Sequence, residues 1–117
     1  MNIVIKVGDV VIPAVLNNTV AAKDFETRLP FTVSGFDSGT DYCCTASEGK
    51  CDDKERQDGW KNGDINIANG WFSILYAGEE KSKQYKNLMI IGHIAEENLH
   101  LVRSLPEKTT LTVEKAE

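Results

Sequence analysis

The clearest pattern in the sequence is the alternation of apolar and polar residues in Gly63–Tyr76. Ile65 and Ile67 alternate with smaller or polar neighbours, which is the period of a strand with one buried face. Asn69 and Gly70 follow and form the strongest short-range hairpin signal, because a type I′ turn needs positive φ at both central positions. The chain then returns through aromatic and branched residues that suit a pleated surface. This stretch therefore predicts a central antiparallel hairpin.

Other segments have the alternation or the composition of strands. Asn2–Val7 places Ile3 and Ile5 on one face. Pro13 cannot donate to a sheet ladder, so its strand should have an open edge or a bulge there. Gly92 interrupts the most apolar segment and predicts a bulge or a close backbone approach. The predicted strands outside the hairpin are Asn2–Val7, Val10–Leu16, Phe31–Phe36, Tyr42–Thr45, Tyr85–Ile94 and Thr109–Glu114.

Two segments have the period of short helices. Val20–Leu29 repeats apolar residues at i, i+4 and i+8 with Phe25 at its centre, and Pro30 ends it. Ala95–Ser104 has acidic residues in its first turn and Arg103 in its last, which suits the helix dipole. We expect Phe25 to be a buried anchor beneath the sheet.

About eight short strands and two helices in a chain of 117 residues predict a mainly β fold. A small closed antiparallel barrel with the helices as caps is favoured, because closure removes the edges that many short strands would otherwise expose. A tightly curved sheet is the alternative. The length predicts a single domain over residues 1–117.

Composition and charge exclude several functions. The net charge is −5 and the 13 basic residues are scattered, so we expect no nucleic-acid partner. No apolar run approaches the roughly 20 residues that a membrane span needs. The first residues alternate too regularly for a signal peptide. We therefore expect a cytoplasmic protein, or an exported one if a targeting segment precedes this sequence.

The three cysteines, Cys43, Cys44 and Cys51, lie in the long polar segment of the chain. An odd number favours reduced thiols over a disulfide framework, and a bridge from Cys43 or Cys44 to Cys51 is the alternative. Their spacing does not match a zinc site, so we expect no metal and no cofactor.

Aromatic residues cluster around the hairpin and its neighbouring loop. Core packing explains each of them singly, because aromatic side chains bury a large area. As a group they predict a shallow cleft between the Ser38–Trp60 loop and the hairpin, since a rigid floor with adaptable loop walls is a common binding arrangement. The residues predicted to bind a ligand there are Tyr42, Trp60, Trp71 and Tyr76. His93 is expected to be a hydrogen-bonded imidazole on an apolar strand, and His100 to lie on a helix surface.

Several short motifs, taken in order, resemble those of cyclophilins. The first predicted helix, with Ala22 and Phe25, is similar to the Thr-Ala-x-x-Phe helix of that family. Asn62–Ile65 resembles the Gly-Gly-Asp-Phe strand start, and Ile91–Ile94 resembles the Phe-Gly-x-Val segment. Small bacterial cyclophilin-like domains are a closer match, and they share the segments Leu16-Asn17, Thr19 to Ala21, Leu29-Pro30, Gly63–Ile65 and Ile91–Ile94.

The resemblance implies an eight-stranded barrel with two capping helices. Active cyclophilins hold an arginine in a Phe-x-Arg strand segment, which this sequence lacks, and Arg28 and Arg56 stand in other contexts. We therefore assign no catalytic residue and expect a binding module for a small molecule or a proline-containing peptide. The alternatives are a prolyl isomerase with a divergent site and an enzyme that acts on a small molecule in the barrel cleft.

Overall fold

A computed structural model describes residues 1–117 and shows eight antiparallel strands closed into a barrel. The strands are β1 (Asn2–Val7), β2 (Val10–Leu16), β3 (Phe31–Asp37), β4 (Tyr42–Thr45), β5 (Asp64–Ala68), β6 (Trp71–Leu75), β7 (Ile90–His93) and β8 (Lys108–Lys115). Around the barrel they follow the order β1-β2-β7-β5-β6-β4-β3-β8. The predicted closed barrel is confirmed.

The central hairpin is formed by β5 and β6. The two strands pair from Asp64 opposite Leu75 to Ala68 opposite Trp71. The φ angles of the two turn residues between them are 56° for Asn69 and 86° for Gly70, and both are positive, as the turn signal requires.

The core fills the inside of the barrel because every second residue of a strand points inward. On β5 the inward residues are Ile65 and Ile67, and on β6 they are Phe72 and Ile74. All four are fully buried. The other fully buried side chains on the strands are Ile3, Ile5, Ile12, Tyr42, Cys44, Ala68, Ile91, Leu111 and Val113.

Two short helices lie against the barrel, α1 (Val20–Glu26) and α2 (Leu99–Arg103). The Thr19 hydroxyl caps α1 by accepting a hydrogen bond from the backbone N–H of Ala22 at 3.1 Å. Phe25 is buried, with its ring centroid 5.0 Å from that of Phe31 and 5.6 Å from that of Phe72. Phe25 is thus the aromatic anchor between α1 and the barrel.

Both helices are shorter than the sequence predicted. The predicted helix Val20–Leu29 ends early because the N–H groups of Thr27, Arg28 and Leu29 bond to carbonyls three residues back, which makes a tighter final turn. The segment Ala95–Ser104 opens with a 3₁₀ turn over Glu96–Asn98 before α2 begins. None of these helices is long and apolar enough to cross a membrane.

The predicted strand Tyr85–Ile94 is wrong in its first half, since only Ile90–His93 lies in the sheet. Asn87 has a φ of 62°, a left-handed conformation that interrupts an extended segment. The prediction relied on the apolar run of this segment. Leu88 belongs to that run but lies outside the sheet, where it forms an isolated β-bridge with Gln57. Before it, the connection after β6 contains a 3₁₀ helix at Glu79–Gln84.

The predictions made for Pro13 in β2 and for Gly92 in β7 agree with the structure. A Cβ on Gly92 would come within 2.7 Å of the carbonyl oxygen of Val15, so β7 approaches β2 more closely than a larger residue allows. The pairing of β7 with β5 shifts register between Ile65 and Asn66, opposite the same glycine. Pro13 pairs with β1 only, which leaves its other edge open.

The long segment between β4 and β5 is held by ionic and polar contacts rather than by a sheet. The Arg56 guanidinium binds the carboxylates of Glu48 and Asp53 and donates to the carbonyl of Asn87 at 3.0 Å. These contacts fix the path of the segment that carries Trp60.

Candidate functional site

The floor of the candidate site is the outer face of β4, β6 and β5. In the sheet register Cys43 stands opposite Ser73, and Ser73 stands opposite Asn66. Because residues paired in register place their side chains on the same face, these three polar groups form one row across the three strands. We call this set the polar row.

The polar row lies at the bottom of a cleft of about 370 Å³. Trp71 forms one wall, and Trp60 with Tyr85 forms another, their ring centroids 5.3 Å apart. The β3–β4 turn adds Ser38, Thr40 and Asp41 to the lining, and the turn between β5 and β6 adds Asn69. The remaining lining residues are apolar, namely Ala68, Leu75 and Leu88. Aromatic walls around a few polar groups are typical of small-molecule sites.

Trp60 is held in place by the connection that follows β6. Its indole Nε1 donates to the carbonyl of Ala77 at 3.0 Å. Its backbone N–H donates to the hydroxyl of Ser82 at 2.9 Å, and that hydroxyl in turn contacts the Trp60 and Glu79 carbonyls. Since Ser82 is buried, these bonds are shielded from water and fix the Trp60 wall.

Asn66 and Ser73 are the most buried polar groups of the cleft, each only 5% exposed. Asn66 Oδ1 accepts from the backbone N–H of Met89 at 2.8 Å, which assigns Nδ2 to the cleft side as a donor without a protein partner. The Ser73 hydroxyl contacts the Cys43 thiol and has no oxygen or nitrogen partner in the structure. Two hydrogen-bonding groups of the floor are therefore free to serve a ligand.

The third member of the polar row, Cys43, has an unreactive thiol. Its thiol donates to Asp41 Oδ2 at 2.8 Å. Burial raises the pKa of this thiol to about 12, and the hydrogen bond to Asp41 adds to the effect. The thiol is therefore protonated at neutral pH and is a poor nucleophile. All three cysteines of the chain are free thiols in the structure.

The four residues predicted from the sequence to bind a ligand separate into two pairs. Trp60 and Trp71 both line the cleft. Tyr42 and Tyr76 do not, because both side chains are buried in the core. The Tyr42 hydroxyl donates to the carbonyl of Pro106 at 2.8 Å.

The location expected for the two tyrosines is therefore corrected. Tyr42 alternates with Cys43 along β4, so the cysteine faces outward and the tyrosine inward. The Tyr76 hydroxyl donates to Asp37, and burial together with this hydrogen bond raises the pKa of Tyr76 to about 12. Both hydroxyl groups are already bonded within the fold.

Sequence reasoning missed the polar row, and it counted Tyr85 in the aromatic cluster around the hairpin without selecting it as a ligand-binding residue. The signal for Asn66 and Ser73 was present, because each alternates with inward-facing apolar residues and so had to face outward. What the sequence did not reveal is that this outward face is covered. Tyr85 was assigned to a strand, whereas the structure places it in the connection, 52% exposed at the cleft wall.

No arginine lines the cleft. The Arg28 guanidinium lies over two phenylalanine rings and donates to the carbonyl of Ser47 at 2.8 Å. Arg56 is paired with carboxylates of its own loop, and Arg103 donates to the carbonyl of Tyr76 at 3.2 Å. The only charged side chain of the lining is Asp41.

His93 lies in a different part of the outer surface. Its Nδ1 is 2.8 Å from Oδ1 of Asp64, a carboxylate that also accepts from the backbone N–H of Lys61 at 2.9 Å. The hydrogen-bonded imidazole expected from the sequence is thus found. Its buried partner also caps the turn that leads into β5.

Comparison with protein families supports the assignment suggested by this barrel. A model of the cyclophilin-like family matches residues 5–114, nearly the whole chain. The chain belongs to the cyclophilin-like family. No curated protein matches the sequence.

A solved structure has the same architecture. It is the solution structure of a hypothetical protein from Archaeoglobus fulgidus, which matches with a TM-score of 0.77. The match covers 99% of this chain and 95% of the archaeal one, at 14% sequence identity. At this identity the similarity shows a shared cyclophilin-like fold and nothing about the ligand.

Proposed function

We propose that this cyclophilin-like protein is a binding module that holds the ring of a small molecule, or of a peptide side chain, in the cleft above the polar row. The observation that carries the proposal is the concave aromatic wall made by Trp60, Trp71 and Tyr85. Monomeric folds rarely expose clustered aromatic area without a use for it. Trp71 is 42% exposed, so burying it against a ligand would be favourable.

The composition of the cleft favours binding over catalysis. Its thiol is held protonated, and it offers no histidine and no guanidinium. Stabilising a developing charge in a transition state needs a strong donor or a cation aimed at it. Asp41, the one carboxylate, already accepts from Cys43 and Ser38.

Tryptophan fluorescence tests the proposed site, because the chain contains only two tryptophans and both line the cleft. A library of single-ring fragments is titrated against the full chain. We expect a subset to give saturable changes in emission. Trp71→Ala should weaken these fragments at least about tenfold while leaving the thermal unfolding transition in place, because the side chain is largely exposed.

Val11→Ala is the matched control, since Val11 is 47% exposed and lies outside the cleft lining. This variant should bind the same fragments as the parent chain. Fragments that bind the folded protein without affecting either indole, and with equal affinity for Trp71→Ala, would show that the site lies elsewhere.

A further inference from the structure

We infer that the cleft selects uncharged planar rings that carry a carbonyl oxygen, with Asn66 Nδ2 and the Ser73 hydroxyl as the two donors to that oxygen. This inference rests on the proposed binding function and specifies the chemistry of its ligand. It is derived from the three groups of the polar row and from the charge of the lining.

Asn66 and Ser73 stand opposite each other in register on neighbouring strands, so their side chains are adjacent. Both residues are about nineteen-twentieths buried, Asn66 Nδ2 has no acceptor within the protein, and the Ser73 hydroxyl has only the weakly accepting Cys43 sulfur beside it. Both groups reach the surface of the cleft rather than being sealed from it, so a ligand oxygen can accept hydrogen bonds from them there.

The Cys43 thiol is already donating to Asp41, so it supplies no further donor to the cleft. The floor thus presents two adjacent donors beside a weakly polar sulfur. A carbonyl oxygen has two lone pairs and is the acceptor that such a pair of donors fits.

Asp41 is the only charged residue of the lining, and no lysine or arginine lies there to neutralise an anion. A carboxylate ligand would lose its hydration and face a like charge near Cys43. A neutral amide carries the same acceptor oxygen without either cost.

The rings of Trp60 and Tyr85 meet at an interplanar angle of 37° and form one continuous wall above the floor. Aromatic walls favour flat partners in offset or edge contact. The volume of about 370 Å³ accommodates a ring with one planar substituent.

Three probes that share one ring test this inference: nicotinamide, nicotinate and 3-methylpyridine. They present the ring with a neutral carbonyl, with an anionic carboxylate and with no acceptor on the substituent. Binding to the uniformly ¹⁵N-labelled chain is followed at the Asn66 side-chain amide and at the two indole N–H signals. We expect nicotinamide to bind at least tenfold more tightly than either other probe and to shift the Asn66 amide.

Asn66→Asp removes the Nδ2 donor and keeps an acceptor for the Met89 N–H, while it replaces the neutral amide by a carboxyl group. It should weaken nicotinamide at least tenfold, and Ser73→Ala should weaken it several-fold. Asn18→Asp introduces the same change at an exposed position outside the lining and should leave nicotinamide binding unchanged. Thermal unfolding confirms that each variant is folded.

The outcomes separate this inference from the binding function itself. Equal binding of all three probes with shifted indole signals would overturn the carbonyl selection and leave a ring-binding cleft. Nicotinamide binding that is unaffected by Asn66→Asp would overturn the assigned donor. If no probe shifts any cleft signal while other single-ring fragments do, the ligand class is wrong and the site stands. If neither does, both proposals fail.

Discussion

Asn66 and Ser73 differ from most outward-facing polar residues of the barrel because water barely reaches them. Exposed pairs such as Thr32 with Thr112 satisfy each other across strands, at 3.0 Å between hydroxyl oxygens. In the polar row, Asn66 Nδ2 has no hydrogen-bond partner within the protein, and it faces the cleft together with the Ser73 hydroxyl. Little water reaches these two side chains, so a ligand in the cleft would be a main source of hydrogen-bond partners for them.

Cys43 should react slowly with iodoacetamide. With a pKa of about 12 its thiolate is scarce at pH 8. We expect alkylation at least about tenfold slower than in the urea-unfolded chain, even allowing for the greater nucleophilicity of a high-pKa thiolate. The rate should rise with pH and level off only near the raised pKa. Mass spectrometry of the peptide that contains Cys43 measures it.

Asp41→Asn tests whether Asp41 contributes to the raised pKa of Cys43. Removing the carboxylate removes both a hydrogen-bond acceptor for the thiol and a negative charge that opposes the thiolate. The pKa of Cys43 should fall, and alkylation at pH 8 should become faster than in the parent. Alkylation of the native parent at the unfolded rate would contradict the burial of this thiol.

The helix α1 is fastened to the barrel by one aromatic cluster. Phe25, Phe31 and Phe72 come from a helix and two strands, and their centroids lie 5.0 to 5.6 Å apart. Seven residues are too few for a helix to be stable alone, so packing of this cluster holds α1 in place.

Phe25→Ala should lower the free energy of unfolding by about 3–5 kcal/mol, because it removes a fully buried ring and leaves a cavity. Urea unfolding followed by circular dichroism measures the change. Val20→Ala, on the exposed side of the same helix, should cost less than about 1 kcal/mol. A loss below about 1 kcal/mol for Phe25→Ala would mean that α1 is not anchored through this ring.

The barrel as a whole resembles a family whose best-known members isomerise prolyl bonds, but its arginines serve other purposes. Isomerisation requires loss of amide resonance at the imide nitrogen, and a guanidinium directed at that amide stabilises the twisted state. Here the guanidinium groups of Arg28, Arg56 and Arg103 bond to loops, rings and backbone away from the cleft lining.

We therefore expect no acceleration of cis–trans isomerisation of an Ala-Pro peptide comparable to that of an active cyclophilin. A protease-coupled or NMR exchange assay on the full chain measures it. Robust turnover that is lost in Arg28→Ala or Arg56→Ala would refute this expectation and assign the role to that residue.

The sequence by itself determined the features that depend on side-chain alternation and on the backbone preferences of single residues. Alternation located most strands, because a period of two depends only on which face is buried. Asn69 and Gly70 specified their turn through backbone conformations that few residues adopt. The strand predicted over Tyr85–Met89 is wrong, because an apolar run does not reveal that Asn87 interrupts it with a left-handed backbone conformation.

Tertiary structure alone decided which outward residues form a site. Asn66 and Ser73 are on an outer face by their spacing, but their burial depends on Trp60, Tyr85 and Asp41, which reach them from separate loops. Long-range contacts of this kind leave no periodic signal, because the residues that cover a side chain are fixed by the path of the whole chain. The sequence therefore determined the barrel, and only the closure of those loops over β4, β5 and β6 turned its surface into a cleft.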